Sequence, residues 1–159
     1  MRTVGREKGA LMKLSAKSRY ALEAMLYLAA GSPGRPASIR QVSEGTGISD
    51  SYLEQIFFRL RKAGLLAAVR GAGGGFYPAR ELSKITAGEI VRAMEDGATP
   101  VLCVDDPSLC KSRLTACCRT RSLWVRISEE IYRKLDAESL SGLRDRYLAS
   151  LAAGKGGAE

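Results

Sequence analysis

The residues best suited to chemistry are four cysteines, Cys103, Cys110, Cys117 and Cys118, which fall within sixteen consecutive positions of a 159-residue chain. Cysteines that serve as small buried hydrophobes are scattered among core positions. A cluster in a polar segment that also contains Pro and Asp instead favours metal, iron–sulfur or redox chemistry. We do not expect disulfides of the extracellular kind, because the chain otherwise has the features of a cytoplasmic protein.

The cysteine spacing narrows the choice of chemistry. No Cys-x-x-Cys pair is present, although structural zinc sites usually use such pairs. Six residues separate Cys103 from Cys110, and six or seven separate Cys110 from the adjacent pair. Wider spacing of soft thiolate ligands favours an iron–sulfur cluster. A metal-free thiol–disulfide switch and an inert segment remain open alternatives.

The chain contains no histidine, which excludes histidine-dependent acid–base catalysis, catalytic triads and histidine metal ligands. A thiol oxidoreductase that uses the cysteines catalytically is also disfavoured, because the chain has neither a Cys-x-x-Cys pair nor a histidine base. We therefore predict that the protein is not an enzyme and has no small-molecule substrate.

The segment from Ser38 to about residue 63 has the pattern of a helix-turn-helix. Ser38 and Gln41 form a capping box that opens the first helix. Gly47 can adopt the left-handed conformation that a sharp turn between helices requires. Ser49 then caps the second helix. This second helix has an apolar face at Leu53, Ile56, Phe57 and Leu60, and an opposite face at Asp50, Ser51, Glu54, Gln55, Arg59 and Lys62 that can form hydrogen bonds.

A hairpin is predicted directly after this second helix. Gly64 ends the helix, residues 65–69 form a short apolar strand, and Arg70 opens a glycine-rich turn that leads to Phe76 and Tyr77 on the returning strand. A hairpin in this position is the wing of a winged helix-turn-helix. A phosphate-binding loop is disfavoured, because no helix start follows the glycines.

The charge distribution agrees with a DNA-binding half. Residues 1–80 contain 13 Lys and Arg against 5 Asp and Glu, whereas residues 81–159 contain 12 of each. Lys and Arg neutralise phosphates and supply most nonspecific DNA affinity, so the excess of eight positive charges indicates double-stranded DNA as the partner. A solvated basic surface, or an adaptor whose winged helix binds no DNA, is the alternative. We see no membrane span and no secretory signal, and expect a cytoplasmic protein.

The predicted fold is mainly α with a small β-hairpin wing and a long C-terminal dimerisation helix. That helix carries an apolar stripe at Trp124, Ile127, Ile131 and Leu135, and helix-turn-helix proteins commonly bind two half-sites as dimers. The predicted organisation is a flexible extension (1–11), a winged helix-turn-helix (12–80), a connecting helix (81–101), a cysteine loop (102–121), dimerisation helices (122–150) and a disordered tail (151–159).

Motifs spread over roughly residues 12–150 resemble the Rrf-two family of winged-helix transcription regulators. They are Met12-Lys-Leu-Ser-Ala-Lys-Ser-Arg-Tyr-Ala-Leu22, Gly47-Ile-Ser, Tyr52-Leu-Glu-Gln55, Leu60-Arg-Lys-Ala-Gly-Leu65, Val69-Arg-Gly, Gly73-Gly-Gly-Phe76, Ile85-Thr-Ala-Gly-Glu-Ile90, and the cysteine loop followed by Ser122-Leu-Trp124. The resemblance implies a homodimer joined by the long helix, with promoter DNA as its ligand.

The family includes an iron–sulfur cluster regulator and a nitric-oxide-sensitive repressor, and the resemblance to them implies a metal site. Three cysteines, Cys103, Cys110 and Cys118, would hold a [2Fe–2S] or [4Fe–4S] cluster. Where the cluster regulator has a histidine ligand, this chain has Arg121, and where the nitric-oxide branch has a carboxylate ligand, it has Arg19. The implied fourth ligand is therefore Cys117, Glu23 or solvent.

The resemblance also implies a set of DNA contacts. Glu54 and Ser51 would reach base edges, where a carboxylate accepts from the amino group of cytosine. Arg59 and Arg61 would hold phosphates, and Arg70 of the wing would enter the minor groove. Tyr52 borders this surface and is expected to be partly buried packing. The complete predicted set is Ser38, Ser49, Ser51, Tyr52, Glu54, Gln55, Arg59, Arg61, Arg70 and Gly73.

Overall fold

A computed structural model of the chain describes residues 15–31, 34–95, 104, 106, 108 and 120–154. In these residues the elements are α1 (Ala16–Ala30), α2 (Ile39–Thr46), α3 (Asp50–Lys62), β1 (Leu66–Val69), β2 (Gly75–Pro78), a 3-10 turn (Leu82–Lys84), α4 (Ala87–Met94), α5 (Arg121–Ala137) and α6 (Leu140–Gly154). The predicted fold class, mainly helical with a two-stranded hairpin and a long C-terminal helix, is confirmed.

Local sequence signals form the helix-turn-helix as predicted. The backbone N–H of Ser38 donates to the Gln41 side chain at 2.8 Å, and the backbone N–H of Gln41 donates to the Ser38 hydroxyl at 3.2 Å. Gly47 has φ 73°, in the left-handed region where a Cβ is disfavoured. Ser49 occupies the N-cap position of α3, but its side chain makes no capping hydrogen bond. The boundaries of α2 are thus set by the expected residues, whereas α3 begins without the side-chain cap predicted for Ser49.

The wing is anchored to the start of α2. β1 and β2 pair antiparallel, with Leu66 opposite Pro78 and Val69 opposite Gly75. Ala37, just before α2, exchanges two backbone hydrogen bonds with Phe76, at 3.0 and 2.8 Å. Gly75 permits this approach, because a Cβ at that position would lie 2.5 Å from the carbonyl of Ala37.

One hydrophobic core joins the helix-turn-helix to the helices that follow the wing. Leu53 and Leu60 of α3 are fully buried in the same cluster as Met25 of α1, Ile90 of α4 and Leu140 of α6. The core therefore runs across residue 80, where the sequence analysis placed a domain boundary. Burial of a shared apolar surface is what fixes these elements relative to one another.

The start of α4 holds the corner between α5 and α6. The backbone N–H of Ala87 donates to the carbonyl of Glu138 at 2.8 Å, and that of Leu140 donates to the carbonyl of Ile85 at 2.8 Å. Thr86 and Glu89 form a second capping box, at the start of α4. These bonds position the long helix α5 against α4.

The ends of the chain differ partly from the expectation. α6 continues to Gly154, whereas the tail was predicted to begin at residue 151. The extension predicted at 1–11 and the cysteines of the predicted loop lie outside the described residues. Within the described part of the chain, no helix has both the length and the apolar character needed to cross a membrane.

Candidate nucleic-acid interface

The outer face of α3 presents polar groups that could read base edges. Ser51, Glu54 and Gln55 are exposed, while the inner-face residues Leu53 and Ile56 are buried. The inner face anchors the helix in the core, so the outer groups are held on a rigid element. A carboxylate, an amide and a hydroxyl at such positions can hydrogen-bond to bases in the major groove.

Tyr52 packs against the protein, as predicted. It is half-buried, and its ring meets the ring of Tyr20 on α1 edge-on, with centroids 5.5 Å apart and an interplanar angle of 87°. The guanidinium of Arg19 lies 4.6 Å from the centroid of Tyr20. Edge-to-face aromatic contacts of this kind stabilise packing. Tyr52 thus braces α3 against α1.

The two predicted serine contacts lie at helix starts. The hydroxyl of Ser38 is engaged in the capping box of α2 and also donates to Gln41 Oε1 at 3.1 Å. Ser49 is exposed and makes no side-chain capping bond, so its hydroxyl is available at the N-terminus of α3. A helix N-terminus favours anionic groups such as phosphate. Of the two, Ser49 is better placed to meet the DNA backbone.

The wing carries Arg70 and Gly73 on a turn fixed to the recognition helix. Arg70 is exposed and directly follows β1. Gly73 is exposed and has φ 76°, which favours glycine. The ring of Phe76 on β2 lies 4.8 Å from that of Phe57 on α3. The contact between these two phenylalanine rings therefore holds the wing against the recognition helix.

The two arginines at the end of α3 differ in environment. Arg61 is exposed, in accordance with a phosphate contact. Arg59 is half-buried, and its guanidinium donates to the carbonyl of Met94 at the end of α4 at 3.0 Å. A cation at a helix C-terminus interacts favourably with the helix dipole. Arg59 thus makes a structural contact within the protein, and this arrangement gives no support to the phosphate contact predicted for it.

Glu95, which follows α4, caps the start of α1. One carboxylate oxygen accepts from the backbone N–H of Ser15 at 2.9 Å and from the hydroxyls of Ser15 and Ser18 at 2.6 and 2.5 Å. Burial by itself raises the pKa of Glu95, but these hydrogen bonds together outweigh it and lower the pKa. Sequence reasoning missed this contact, because 80 residues separate Ser15 from Glu95.

Sequence reasoning also missed Phe58, whose side chain is 71% exposed on α3. It lies three residues after Gln55 and four before Lys62, so a helical wheel places all three on the outer face. The signal was present in the sequence, since Phe58 lies outside the apolar stripe that the spacing defines.

All four cysteines fall outside the described residues, and so does the site predicted for Cys103, Cys110 and Cys118 with Cys117 as an additional donor. Glu23, the carboxylate named as a further ligand, is exposed on α1. The described residues contain no group of three or more Cys, Asp or Glu able to hold a metal. Near this part of the chain, the guanidinium of Arg121 at the start of α5 donates to the carbonyl of Val104 at 3.1 Å.

The helix-turn-helix, its wing and the exposed polar face of α3 define a winged-helix DNA-binding protein. The chain belongs to the Rrf2 (Rrf-two) family, because the family model described as an iron-dependent transcriptional regulator matches residues 14–146. It is therefore a DNA-binding transcriptional regulator and not an enzyme.

Individual relatives agree with this assignment. The protein rrf2 of Nitratidesulfovibrio vulgaris is 38% identical over 138 residues, which cover 86% of this chain and 91% of that protein. The structure of T. potens IscR matches with a TM-score of 0.68 and 34% identity, over 85% of this chain and 88% of that one. The oxidized form of Staphylococcus aureus CymR matches with a TM-score of 0.64 and 32% identity. The match covers 83% of this chain and 95% of that one.

Proposed function

We propose that the chain acts as a cytoplasmic homodimer that recognises a specific promoter sequence, with a DNA affinity controlled by an iron–sulfur cluster on its cysteine loop. The description of the family as iron-dependent supports an iron-containing sensor. The four thiols supply the soft donors that such a cluster requires. Promoter recognition would use the outer face of α3 and the wing.

The predicted donor set supplies three thiolates to a cluster and leaves its fourth ligand open. Cys103, Cys110 and Cys118 would be the three thiolate ligands. When bound, an iron–sulfur cluster supplies redox chemistry whose potential depends on charge, hydrogen bonding and solvent exposure. Arginine is not a ligand, so Arg121 and Arg19 cannot complete the set. Cys117, Glu23 and solvent are the remaining choices.

The observation that carries the regulatory proposal is the hydrogen bond from Arg59 of α3 to Met94, the last residue of α4. The chain leads from Met94 toward Cys103, so the segment before the cysteines starts from a residue that holds the recognition helix. Glu95 adds a second attachment, to Ser15 and Ser18 at the start of α1. A displacement of this end of α4 would therefore also shift α3 and α1.

A second connection lies at the start of α5. Arg121 binds the carbonyl of Val104, one residue after Cys103, and so ties this part of the chain to the long helix. We propose that a change in the state of the thiols alters how the loop rests against the start of α5. Since α5 is the proposed dimer helix, the distance between the two recognition helices would change, and half-site spacing sets operator affinity.

The proposal of a homodimer rests on the surface of α5. Among its residues, all of which the structure describes, Ser128 is the only one that is buried. Its apolar stripe at Trp124, Ile127, Ile131 and Leu135 is only half-buried, and Leu123 is 51% exposed. A second copy of α5 would cover this stripe by a two-fold interface.

The cluster is tested by purifying the full chain without oxygen and measuring iron content and visible absorbance. We expect a coloured protein whose iron is lost in the Ser variants of Cys103, Cys110 and Cys118. The matched control is Cys117→Ser, which tests whether Cys117 or its neighbour Cys118 binds the iron. This variant keeps its iron unless Cys117 is the fourth ligand. A colourless, iron-free wild-type protein would overturn the cluster.

The DNA function is tested by sequencing genomic fragments that the same protein retains. We expect promoter fragments with a two-fold symmetric motif, and Glu54→Ala should relax the base preference at one position per half-site. Retention of bulk DNA with no preferred sequence, in every oxidation state of the thiols, would refute specific promoter recognition.

A second candidate is a regulator of the same fold whose thiols form a reversible disulfide without metal. The likeness to a CymR structure in an oxidized form favours keeping this alternative. Mass spectrometry after oxidation and reduction separates the two. A reversible bridge such as Cys103–Cys110 in metal-free protein, accompanied by a change in DNA affinity, supports the switch.

A further inference from the structure

Phe58 is an exposed aromatic side chain on the outer face of α3, the proposed recognition helix. It is 71% exposed, more than any other large apolar side chain in the described residues, among which the next is Leu123 at 51%. Its immediate neighbours on the helix surface are polar or charged and exposed, namely Glu54, Gln55, Arg61 and Lys62. Phe58 is thus bordered along α3 by polar and charged side chains, and it also borders a cavity lined in part by Ala93 and Met94 of α4.

The position of Phe58 along α3 places it within reach of the bases. It follows Ser51 by seven residues, two helical turns, so both side chains lie on one row of the helix. The separation along the helix axis is about 10 Å, which corresponds to about three base pairs. A recognition helix that meets bases through Ser51 and Gln55 therefore also brings Phe58 to the groove.

We propose that Phe58 determines operator sequence by packing against the C5-methyl group of a thymine in the major groove. Thymine is the base that presents an apolar group there, and phenylalanine is among the side chains that contact it. The flanking cations Arg61 and Lys62 fit a polyanionic duplex. The inference rests on the proposed promoter recognition and adds a base preference to it.

The test uses anaerobically purified full-length protein and the operator found by fragment sequencing. Each thymine is replaced in turn by deoxyuridine, which removes only the methyl group, and affinity is measured by fluorescence anisotropy. With the wild type, we expect about fourfold weaker binding at one thymine per half-site, the loss that corresponds to burying one carbon. Phe58→Ala should bind the natural operator more weakly and should no longer distinguish thymine from deoxyuridine at that position.

Two variants serve as controls. Phe58→Leu keeps an apolar side chain and should retain part of the discrimination. Tyr147→Ala removes a 41% exposed aromatic ring on α6 and should leave the discrimination unchanged. Because Phe58 is so exposed, we expect Phe58→Ala to fold, which circular dichroism can verify.

Specific operator binding with the same thymine-to-deoxyuridine ratios in the wild type and Phe58→Ala would overturn this inference alone. The inference would also be overturned if Phe58→Ala lost affinity equally for all DNA sequences. It would be overturned as well if Phe58→Ala bound DNA normally but lost a protein partner. A wild type with no preference for any promoter would overturn promoter recognition and this inference with it.

Discussion

The ring centroids of Phe57 on the recognition helix and Phe76 on the wing lie 4.8 Å apart, and the two ring planes meet at an angle of 57°. Phe57 is buried in the core and Phe76 packs against its edge. The backbone of Phe76 is also bonded to Ala37, just before α2. One residue of the wing therefore contacts α3 and the segment that leads into α2, which holds the wing and the recognition helix in a fixed arrangement.

Removal of this aromatic contact should loosen the wing. We expect Phe76→Ala to lower the free energy of unfolding by about 2–3 kcal/mol, less than for a fully buried ring because Phe76 is half-buried. Operator affinity should fall as well, since Arg70 would lose its fixed position. Urea denaturation and anisotropy titrations measure the two effects. Phe76→Leu is the matched control and should lose less of both; a Phe76→Ala protein with unchanged operator affinity would contradict the anchoring role.

Arg70→Ala should weaken DNA binding through a lost electrostatic contact. The exposed guanidinium follows β1 on the wing, and each phosphate contact adds about one to the slope of log affinity against log salt. We expect the slope to decrease by about one, with affinity measured between about 50 and 200 mM salt. The control is Arg40→Ala, since Arg40 is also exposed but is paired with Glu44 on α2. Equal slopes for wild type and Arg70→Ala would argue against a DNA contact at Arg70.

Glu95 should make stability depend on pH in the acid range. The pKa of Glu95 in the folded protein is lowered from the ordinary value of 4.5. Its contribution to the free energy of unfolding is therefore present above pH 4.5 and is lost as the pH falls through the lower folded-state pKa. We expect Glu95→Gln to be about 1 kcal/mol less stable than the wild type at pH 7. The difference should shrink below pH 4.5.

The measurement is urea denaturation across pH 3–7. Glu129→Gln, which changes an exposed carboxylate on a different helix, α5, is the control for the loss of one negative charge. A constant difference between Glu95→Gln and the wild type over the whole range would show that the carboxylate charge is not what binds Ser15 and Ser18.

Gly88→Ala should disturb the contact between α4 and α5. A Cβ at Gly88 would lie 1.9 Å from Asp136 Oδ1, and Asp136 is held by Arg92 through two hydrogen bonds of 2.7 Å. We expect a loss of about 1–2 kcal/mol, although alanine has the higher helix propensity. Thermal denaturation measures it. In an Asp136→Ala background the contact with the carboxylate is gone and only Arg92 Nη1, at 3.1 Å, remains close, so Gly88→Ala should cost less stability there; an unchanged cost would point to another cause.

Local sequence signals determined the main secondary-structure features of this protein. The capping box at Ser38, the left-handed Gly47 and the apolar stripe of α3 were all predicted and are all observed. Each depends on residues within one or two helical turns, where backbone geometry alone decides which atoms meet. Family membership followed from the same short motifs, and the comparisons confirm it.

Only the tertiary structure decided which distant residues meet. Arg59, predicted to hold a phosphate, donates a hydrogen bond to the carbonyl of Met94 within the protein, and Glu95 caps a helix that begins 80 residues earlier in the chain. Such contacts arise from burial of a shared core, which packs elements by shape and apolar area without a fixed sequence spacing. Sequence therefore specified the helices, the turn and the wing, and packing specified how the end of α4 holds the recognition helix.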